Sequence, residues 1–214
     1  MGKIIKRDEF YDENKINEIS KMVVDGSLII YPTDTVYGLG ATIHNIESID
    51  KIYTVKERSH NSPLIALLSG KKYLEKIAIV NDKNRKKIMK LIDEFWPGGL
   101  TIILEKKEII PSNMVSNGDS VGVRIPDHEI ALKLIENCGG ILATTSANIS
   151  GENTPKNFDD LSDRIKSRVD ILIEDRTPLK GVESTIIDMR ETPIILREGH
   201  IIREEIEKII GKVN

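Results

Sequence analysis

Segments with the helical spacing of apolar residues alternate with short apolar runs along nearly all of this 214-residue chain. In residues 14–25 the apolar side chains recur every three or four positions, which is the spacing of one helix face. The run 27–31 that follows is short, apolar and ended by Pro32, as expected of a buried strand. Helices and strands interspersed in this way predict an α/β fold.

The remaining elements are predicted from the same periodicities. Further helices are expected over 46–57, 81–95, 127–137 and 202–210, and further strands over 64–68, 100–104, 120–125, 141–144, 171–173, 185–188 and 194–197. Asp127 is expected to cap the third of these helices, and Gly139-Gly140 to end it. Two short strands close together near the C-terminus indicate some antiparallel pairing. Because the sequence has no repeat, low-complexity tract or linker, residues 1–214 are predicted to form one domain.

Acidic and basic side chains nearly cancel, 34 against 31, and the net charge is -3. The chain as a whole therefore lacks the charge of a basic nucleic-acid-binding protein. Residues 71–90 are an exception, because they carry eight lysines and arginines against two acidic residues. Charge runs of this kind usually form a solvated helix face, and an RNA-facing patch is the alternative.

The chain has one cysteine, Cys138, so neither a disulfide framework nor a cysteine metal cluster can form within it. Its place among apolar residues at the end of a predicted helix favours packing over a role as nucleophile. The four histidines lack the spacing of metal ligands, and no protein metal site is predicted. Residues 1–10 have no signal-peptide run, and no segment approaches the roughly 18 apolar residues of a membrane span. A cytoplasmic protein that does not associate with membranes is therefore predicted.

Four polar segments interrupt the apolar pattern where strands or helices end, which is where binding groups usually lie. The first, YPTDTVYGLG over 31–40, is either a capped turn or a loop that binds a small polar ligand. The second, Lys56-Glu57-Arg58 followed by 59–63, ends a helix. Its cations either stabilise the helix C-terminus or clamp a phosphate, for which Arg supplies a planar fork.

The third segment, VGVRIP over 121–126, places Arg124 in an otherwise apolar strand. Because an unpaired buried guanidinium is costly, Arg124 needs an anionic partner, either an internal Asp or Glu or a substrate carboxylate. The fourth, 144–151, is dense in small hydrogen-bonding side chains, as in a helix cap or a loop that binds phosphate or carboxylate. Residues 183–185 and 196–199 repeat this placement of polar groups at strand edges.

Together these segments supply arginines, a lysine and several hydroxyls, without a metal cage or a pair of nucleophile and base. The common nucleotide-binding motifs, GxGxxG and the phosphate loop ending in Gly-Lys-Ser/Thr, are absent from the sequence. This inventory suits a site that binds a polyanion and a carboxylate and stabilises charge at phosphorus.

The segments YPTDTVYGLG, KxR followed by PL, WPGGLT, VGVRIP and SANISG, in this order, resemble the YrdC family over about residues 26–197. The family signature KxR…SxN falls on Lys56, Arg58, Ser146 and Asn148. The resemblance implies a twisted open mixed sheet with flanking helices and a large, concave, positively charged cavity. It also implies L-threonylcarbamoyl-AMP synthase activity, a nucleotidyl transfer that condenses L-threonine, bicarbonate or carbon dioxide and ATP and releases pyrophosphate.

The resemblance also implies site residues and partners. Threonine would be held by Thr35, Arg124 and Thr144. ATP would be surrounded by Lys56, Arg58, Ser62, Ser120, Ser146, Asn148, Thr154 and Arg197, with Lys56 and Arg58 as catalytic cations. Magnesium would accompany ATP, and a separate tRNA threonylcarbamoyl transferase would move the product onto a tRNA adenosine beside the anticodon.

Two features depart from the family pattern. Many members carry a histidine on the strand that begins with Pro-Leu, whereas residues 63–68 read PLIALL here. Some members also have a second C-terminal domain, and none is expected before Asn214. There are two alternatives to the synthase: a non-catalytic module that binds tRNA or double-stranded RNA, and a different carbamoyl-adenylate chemistry, as in the YrdC-like module of hydrogenase-maturation carbamoyltransferases. The latter occurs in longer chains with zinc-finger segments, which this sequence lacks.

Overall fold

The structure is a computed structural model that describes residues 2–214, so Met1, part of the one-domain prediction, lies outside the described residues. The helices are α1 (Arg7–Phe10), α2 (Glu13–Val24), α3 (Ile46–Lys56), α4 (Leu74–Ile77), α5 (Arg85–Phe95), α6 (Glu129–Asn137), α7 (Asp163–Lys166) and α8 (Arg203–Ile210). The strands are β1 (Lys3–Lys6), β2 (Ile29–Tyr31), β3 (Gly38–Thr42), β4 (Ile65–Leu68), β5 (Ala78–Ile79), β6 (Leu100–Lys106), β7 (Ser120–Arg124), β8 (Ile141–Ser146), β9 (Ile171–Glu174), β10 (Thr185–Asp188) and β11 (Ile194–Arg197).

Across residues 2–214, the eleven strands form one mixed sheet in the order β1-β9-β2-β3-β8-β4-β7-β6-β10-β11, with β5 paired to β6. Strands far apart in sequence become neighbours, since β8 lies between β3 and β4 and β9 lies between β1 and β2. The two C-terminal strands β10 and β11 pair in antiparallel fashion, which confirms that prediction. The sheet therefore brings together segments from the whole chain.

Local sequence signals account for the longer helices. Asp12 precedes α2, and its carboxylate accepts a hydrogen bond of 2.9 Å from the amide of Lys15. Asn45 caps α3 in the same way, accepting from the amide of Ser48 at 3.0 Å. Each cap satisfies an amide that the helix itself cannot pair, so both helices begin where the sequence predicts.

Two predicted helix starts are wrong. The helix expected from residue 81 begins at Arg85, because the side chain of Asn81 accepts from the amide of Asn84 at 2.9 Å and holds a turn there. Asp127 does not cap α6, which begins after His128 without a side-chain cap. The amide of Asp127 instead donates to the carboxylate of Asp34 at 3.1 Å. The short elements β1, α1, β3, α4, β5 and α7 were not predicted at all.

The two faces of the sheet bury different cores. One face carries Leu39, Ala66 and Val123 and packs against α3, α5 and α8. The opposite face carries Tyr31, Leu67 and Leu142 and packs against α2 and α6. None of the helices described for residues 2–214 has the length and apolar character needed to cross a membrane.

Cys138 lies in the second of these cores, with 2% of its surface exposed. Burial raises the pKa of its thiol to about 12, so the thiolate does not form near neutral pH. The packing role predicted for Cys138 is thus the one that its surroundings support.

Candidate functional site

The strand register brings three of the four polar segments to one face of the sheet, with β4 between them. Gly40 pairs with Thr144, Thr144 with Ile65, and Ile65 with Gly122, so these four residues form a row across β3, β8, β4 and β7. A Cβ at Gly122 would approach Ile65 Cγ2 to 3.0 Å, and one at Gly38 would approach Thr144 Cγ2 to 3.0 Å. Because Gly38 and Gly122 have no side chains, space is left above this part of the sheet, which forms the floor of the site.

A cavity of about 160 Å³ lies on this floor. Residues at alternate positions of a strand share a face, which is why side chains from β7, β8 and β11 reach the cavity together. Its lining includes six of the eleven predicted site residues: Thr35, Arg58, Arg124, Thr144, Ser146 and Arg197. The lining contains three arginines and one carboxylate, that of Glu183, which gives it a net charge of +2.

Arg124 lines the cavity with only 4% of its surface exposed. Its guanidinium donates to Gly98 O at 2.8 Å, to Thr35 Oγ1 at 2.9 Å, and to the carboxylate of Asp34. Burial lowers the pKa of Arg124, and the Asp34 carboxylate opposes that effect. The partner of Arg124 within the described chain is therefore an internal aspartate, one of the two alternatives that the sequence left open.

Hydroxyl groups near Arg124 hydrogen-bond to one another. Tyr31 is fully buried, and its hydroxyl lies 2.7 Å from Thr144 Oγ1. Thr33 Oγ1 lies 3.1 Å from Thr35 Oγ1 and donates to the carbonyl of Val36 at 2.7 Å. Burial raises the pKa of Tyr31, so its phenol stays neutral. The threonine hydroxyls are thus preorganised beside the guanidinium.

The backbone at Glu57 sends Lys56 and Arg58 to different sides of the helix end. Glu57 has a left-handed conformation with φ of 53°, and Arg164 and Arg168 bind its carboxylate at 2.5 and 2.8 Å. Arg58, beyond this turn, lines the cavity and donates to the carbonyls of Ser62 and Pro63 at 3.0 and 3.1 Å. Burial lowers the pKa of Arg58.

Lys56 lies behind the cavity lining, with 1% of its surface exposed. Its ammonium donates to Asn148 O at 2.7 Å, to Asn148 Oδ1 at 3.3 Å, and to the carbonyl of Ser146. The Ser146 hydroxyl in turn donates to Asn148 Oδ1 at 2.6 Å. Burial, assisted by the charge of Arg58, lowers the pKa of Lys56 to about 7. The KxR and SxN parts of the family signature are thus joined directly through Lys56.

Arg197 also lines the cavity. It donates to Glu183 Oε2 at 2.6 Å and to the carbonyl of Ser184 at 2.9 and 3.1 Å. Thr154 donates to the other oxygen of Glu183 at 3.4 Å. Ser184 Oγ lies 2.8 Å from Thr101 Oγ1, which ties this part of the lining to β6.

The five other predicted residues, Lys56, Ser62, Ser120, Asn148 and Thr154, do not contribute to the cavity lining. Ser62 offers its carbonyl to Arg58, and Ser120 begins β7 on the face that also carries Arg124. Asp34 and Glu183 were not predicted as site residues, although each ion-pairs with a predicted arginine. An acid within a buried stretch such as 31–40 is the signal that could have identified Asp34 as the partner of a buried arginine.

The comparisons with known proteins agree with this geometry. The family Sua5_yciO_yrdC, described as telomere recombination, matches residues 21–199. The chain belongs to the Sua5/YciO/YrdC family. The resemblance drawn from the ordered segments is thereby confirmed, together with the predicted α/β class of twisted mixed sheet and flanking helices.

Two curated relatives carry the name threonylcarbamoyl-AMP synthase. That of Pyrococcus abyssi is 37% identical over 211 residues, which cover 98% of this chain and 61% of the relative. That of Bacillus subtilis is 34% identical over 205 residues, covering 95% of this chain and 58% of the relative. This member of the Sua5/YciO/YrdC family thus spans about three fifths of the length of these relatives.

A solved structure of the family has nearly the same fold. It is the crystal structure of P. abyssi Sua5 complexed with L-threonine, with a TM-score of 0.91 and 36% sequence identity. The similarity covers 100% of this chain and 62% of that one.

Proposed function

We propose that this chain is an L-threonylcarbamoyl-AMP synthase, which condenses L-threonine, bicarbonate or carbon dioxide and ATP and releases pyrophosphate. The observation that carries the proposal is the buried guanidinium of Arg124, which faces a cavity lined by hydroxyl groups. The name of two relatives of this chain, threonylcarbamoyl-AMP synthase, and the threonine-bound structure of a family member support the same substrate.

The hydrogen bonds of Arg124 favour a carboxylate ligand in this cavity. A guanidinium has five N–H donors, and three are used by Gly98, Thr35 and Asp34. The remaining two have no acceptor among residues 2–214, and a carboxylate accepts two such bonds from one arginine. The hydroxyls of Thr35 and Thr144 would then contact the polar groups of the bound threonine.

The part of the cavity lined by Arg58 and Arg197 suits the phosphates of ATP. Arg58, Ser146 and Arg197 all line the cavity. The threonine carbamate oxygen would attack the α-phosphorus in line, forming the new P–O bond as the bond to pyrophosphate breaks. Arg58 would offset the charge that develops on the phosphate oxygens, and positioning would supply most of the acceleration.

Lys56 would act in this reaction through the loop that it holds. Its ammonium contacts oxygen atoms of Ser146 and Asn148 rather than the cavity, so we propose a positioning role in place of direct contact with ATP. Asn148, Thr154, Ser62 and Ser120 belong to the same proposed ATP site as residues that shape its border.

Magnesium would enter the site as part of the ATP substrate. Residues 2–214 contain no group of three or more His, Cys, Asp or Glu side chains placed to hold a metal ion. Both oxygens of Glu183, the carboxylate in the cavity lining, already accept hydrogen bonds from Arg197 and Thr154. Magnesium commonly keeps several waters and binds through substrate phosphates, which fits a site of this kind.

The wider setting follows from the proposed product. A threonylcarbamoyl adenylate is an activated acyl group, so a tRNA threonylcarbamoyl transferase is the proposed consumer, in the cytoplasm where ATP and tRNA occur. One continuous sheet through the described residues supports the proposal of a single domain.

The RNA-binding alternative has less support. Four of the eight basic side chains in 71–90 form ion pairs, namely Lys71 with Asp93, Lys72 with Glu136, Lys83 with Glu191 and Arg85 with Glu75. Half of the charge expected to face RNA is thus balanced within the protein, as on an ordinary solvated surface.

The deciding experiment measures pyrophosphate release by the pure protein with ATP, magnesium, bicarbonate and L-threonine. Release that requires both threonine and bicarbonate would establish the synthase. Release that is indifferent to threonine, or no release, would refute it. Salt-dependent RNA binding without ATP turnover would instead favour the alternative.

A further inference from the structure

The buried pair of Arg124 and Asp34 is electrically neutral, and this creates a problem for a substrate carboxylate. Arg124 has 4% and Asp34 7% of its surface exposed, so water screens neither charge well. A carboxylate that binds Arg124 would add one negative charge to a buried neutral pair. Burying an excess charge is costly unless an opposite charge lies close by.

A second cation stands beside Asp34. The ammonium of Lys180 lies 3.7 Å from Asp34 Oδ2, and that oxygen has no hydrogen-bond partner among the described residues. The backbone fixes Lys180 in place, because its amide donates to Asp34 O at 3.0 Å and the amide of Gly181 donates to Thr35 O at 2.8 Å. The side chain of Lys180 is 37% exposed, so its charge does not carry a full burial cost.

We propose that Lys180 is a positioning residue that makes the Arg124 site selective for a carboxylate. With Lys180, the cluster of Arg124, Asp34 and Lys180 has a net charge of +1, and binding one carboxylate makes it neutral. Because Lys180 offsets the negative charge of Asp34, the two N–H donors that Arg124 has left can bind the substrate carboxylate without burying an excess negative charge. This inference rests on the proposed function, since it concerns how the same site takes threonine.

Two neighbouring pairs of charged groups are each close to neutral. On one side, Asp175 pairs with Arg7 at 3.2 Å. Burial lowers the pKa of the nearby His128 below its ordinary value, so its imidazole is uncharged at the pH of 7.5 used below. On the cavity side, Arg197 pairs with Glu183 at 2.6 Å. The excess positive charge beside Asp34 is thus that of Lys180, whereas Arg58, which has no carboxylate partner among the described residues, belongs to the proposed phosphate site.

The test is calorimetric titration of L-threonine into the full chain at pH 7.5, comparing the wild type with Lys180→Met and Lys180→Arg. Methionine keeps most of the length of the side chain and removes its charge, whereas arginine keeps the charge. We expect Lys180→Met to raise the Kd for threonine about tenfold, equivalent to about 1.4 kcal/mol. Lys180→Arg should bind threonine as the wild type does, and the Kd for ATP should change less than twofold in either variant.

Two further variants separate charge from packing. Lys15 is 28% exposed and pairs with Glu18 at 2.8 Å, so Lys15→Met is a matched control that should bind threonine normally. Adding Asp34→Asn to Lys180→Met returns the cluster to +1, and should recover affinity if the double variant melts as a folded protein.

Three results would overturn the inference: threonine binding by Lys180→Met that matches the wild type, equally weak binding by Lys180→Arg, or a parallel loss of ATP affinity. A double variant that folds but stays as weak as Lys180→Met would also contradict it. Failure of the proposed function is distinguishable, because then the wild type itself would not bind threonine.

Discussion

Replacing Arg124 with methionine should destabilise the protein and abolish threonine binding for two separate reasons. The substitution removes a guanidinium that makes three hydrogen bonds and leaves Asp34 buried without its main ion-pair partner. Breaking a buried pair by removing one partner costs about 3–5 kcal/mol. In a chain of this length, each 1 kcal/mol lowers Tm by about 2–4 °C, so Arg124→Met should melt about 6–20 °C below the wild type.

The double variant Arg124→Met/Asp34→Asn separates the two effects. Asparagine is nearly isosteric, can still accept from the amide of Asp127, and leaves no buried charge. We therefore expect the double variant to recover at least half of the lost free energy of unfolding, measured by urea denaturation, while threonine binding measured by calorimetry stays absent.

The reasoning would be refuted by Arg124→Met with wild-type stability, or by a double variant no more stable than the single one. Threonine binding retained in either variant would remove Arg124 from the proposed site, whatever the stability data show.

Three further predictions follow from the same geometry. Arg58→Ala should lower pyrophosphate release about 10²-fold, as the loss of one preorganised donor typically does. Tyr31→Phe removes the hydrogen bond of 2.7 Å to Thr144 and should lower the free energy of unfolding by about 1 kcal/mol in urea titrations. Because the folded-state pKa of Lys56 is lowered from 10.5 to about 7, the unfolded chain binds more protons between these values. Stability should therefore rise with pH from about 7 towards 10.5, by on the order of 1 kcal/mol per pH unit, relative to Lys56→Met.

Each of these predictions has a contrary outcome. Near-normal turnover by Arg58→Ala would remove it from the reaction, and unchanged stability of Tyr31→Phe would mean that the hydroxyl contact contributes nothing net. Parallel stability curves for the wild type and Lys56→Met would show that Lys56 titrates normally in the folded protein.

The sequence predicted the elements that have strong local signals. The spacing of apolar residues identified α2 and α3, their caps lie in the preceding residues, and Gly139-Gly140 ends α6, with φ values of +93° and +90°. Short elements such as β1 and α4 were missed, because four residues carry too little periodicity to be recognised.

The order of the five segments that resemble the YrdC family also identified that family, but the sequence could not say how these segments meet in the fold. Sequence alone determined that Arg124 needs an anion, since a guanidinium in an apolar strand is costly to bury unpaired. The tertiary structure decided which anion pairs with Arg124. The positions of β2 and β7 in the sheet bring Asp34 into contact with Arg124, although the two residues are 90 positions apart in the sequence. The tertiary structure also brings the Lys56 ammonium to the carbonyl of Asn148. In the same way it places Lys180 beside Asp34, through a hydrogen bond from the Lys180 amide to the Asp34 carbonyl. Local periodicity reflects which side chains are buried together on one element, whereas the partner of a buried charge depends on strand order, which no local pattern encodes.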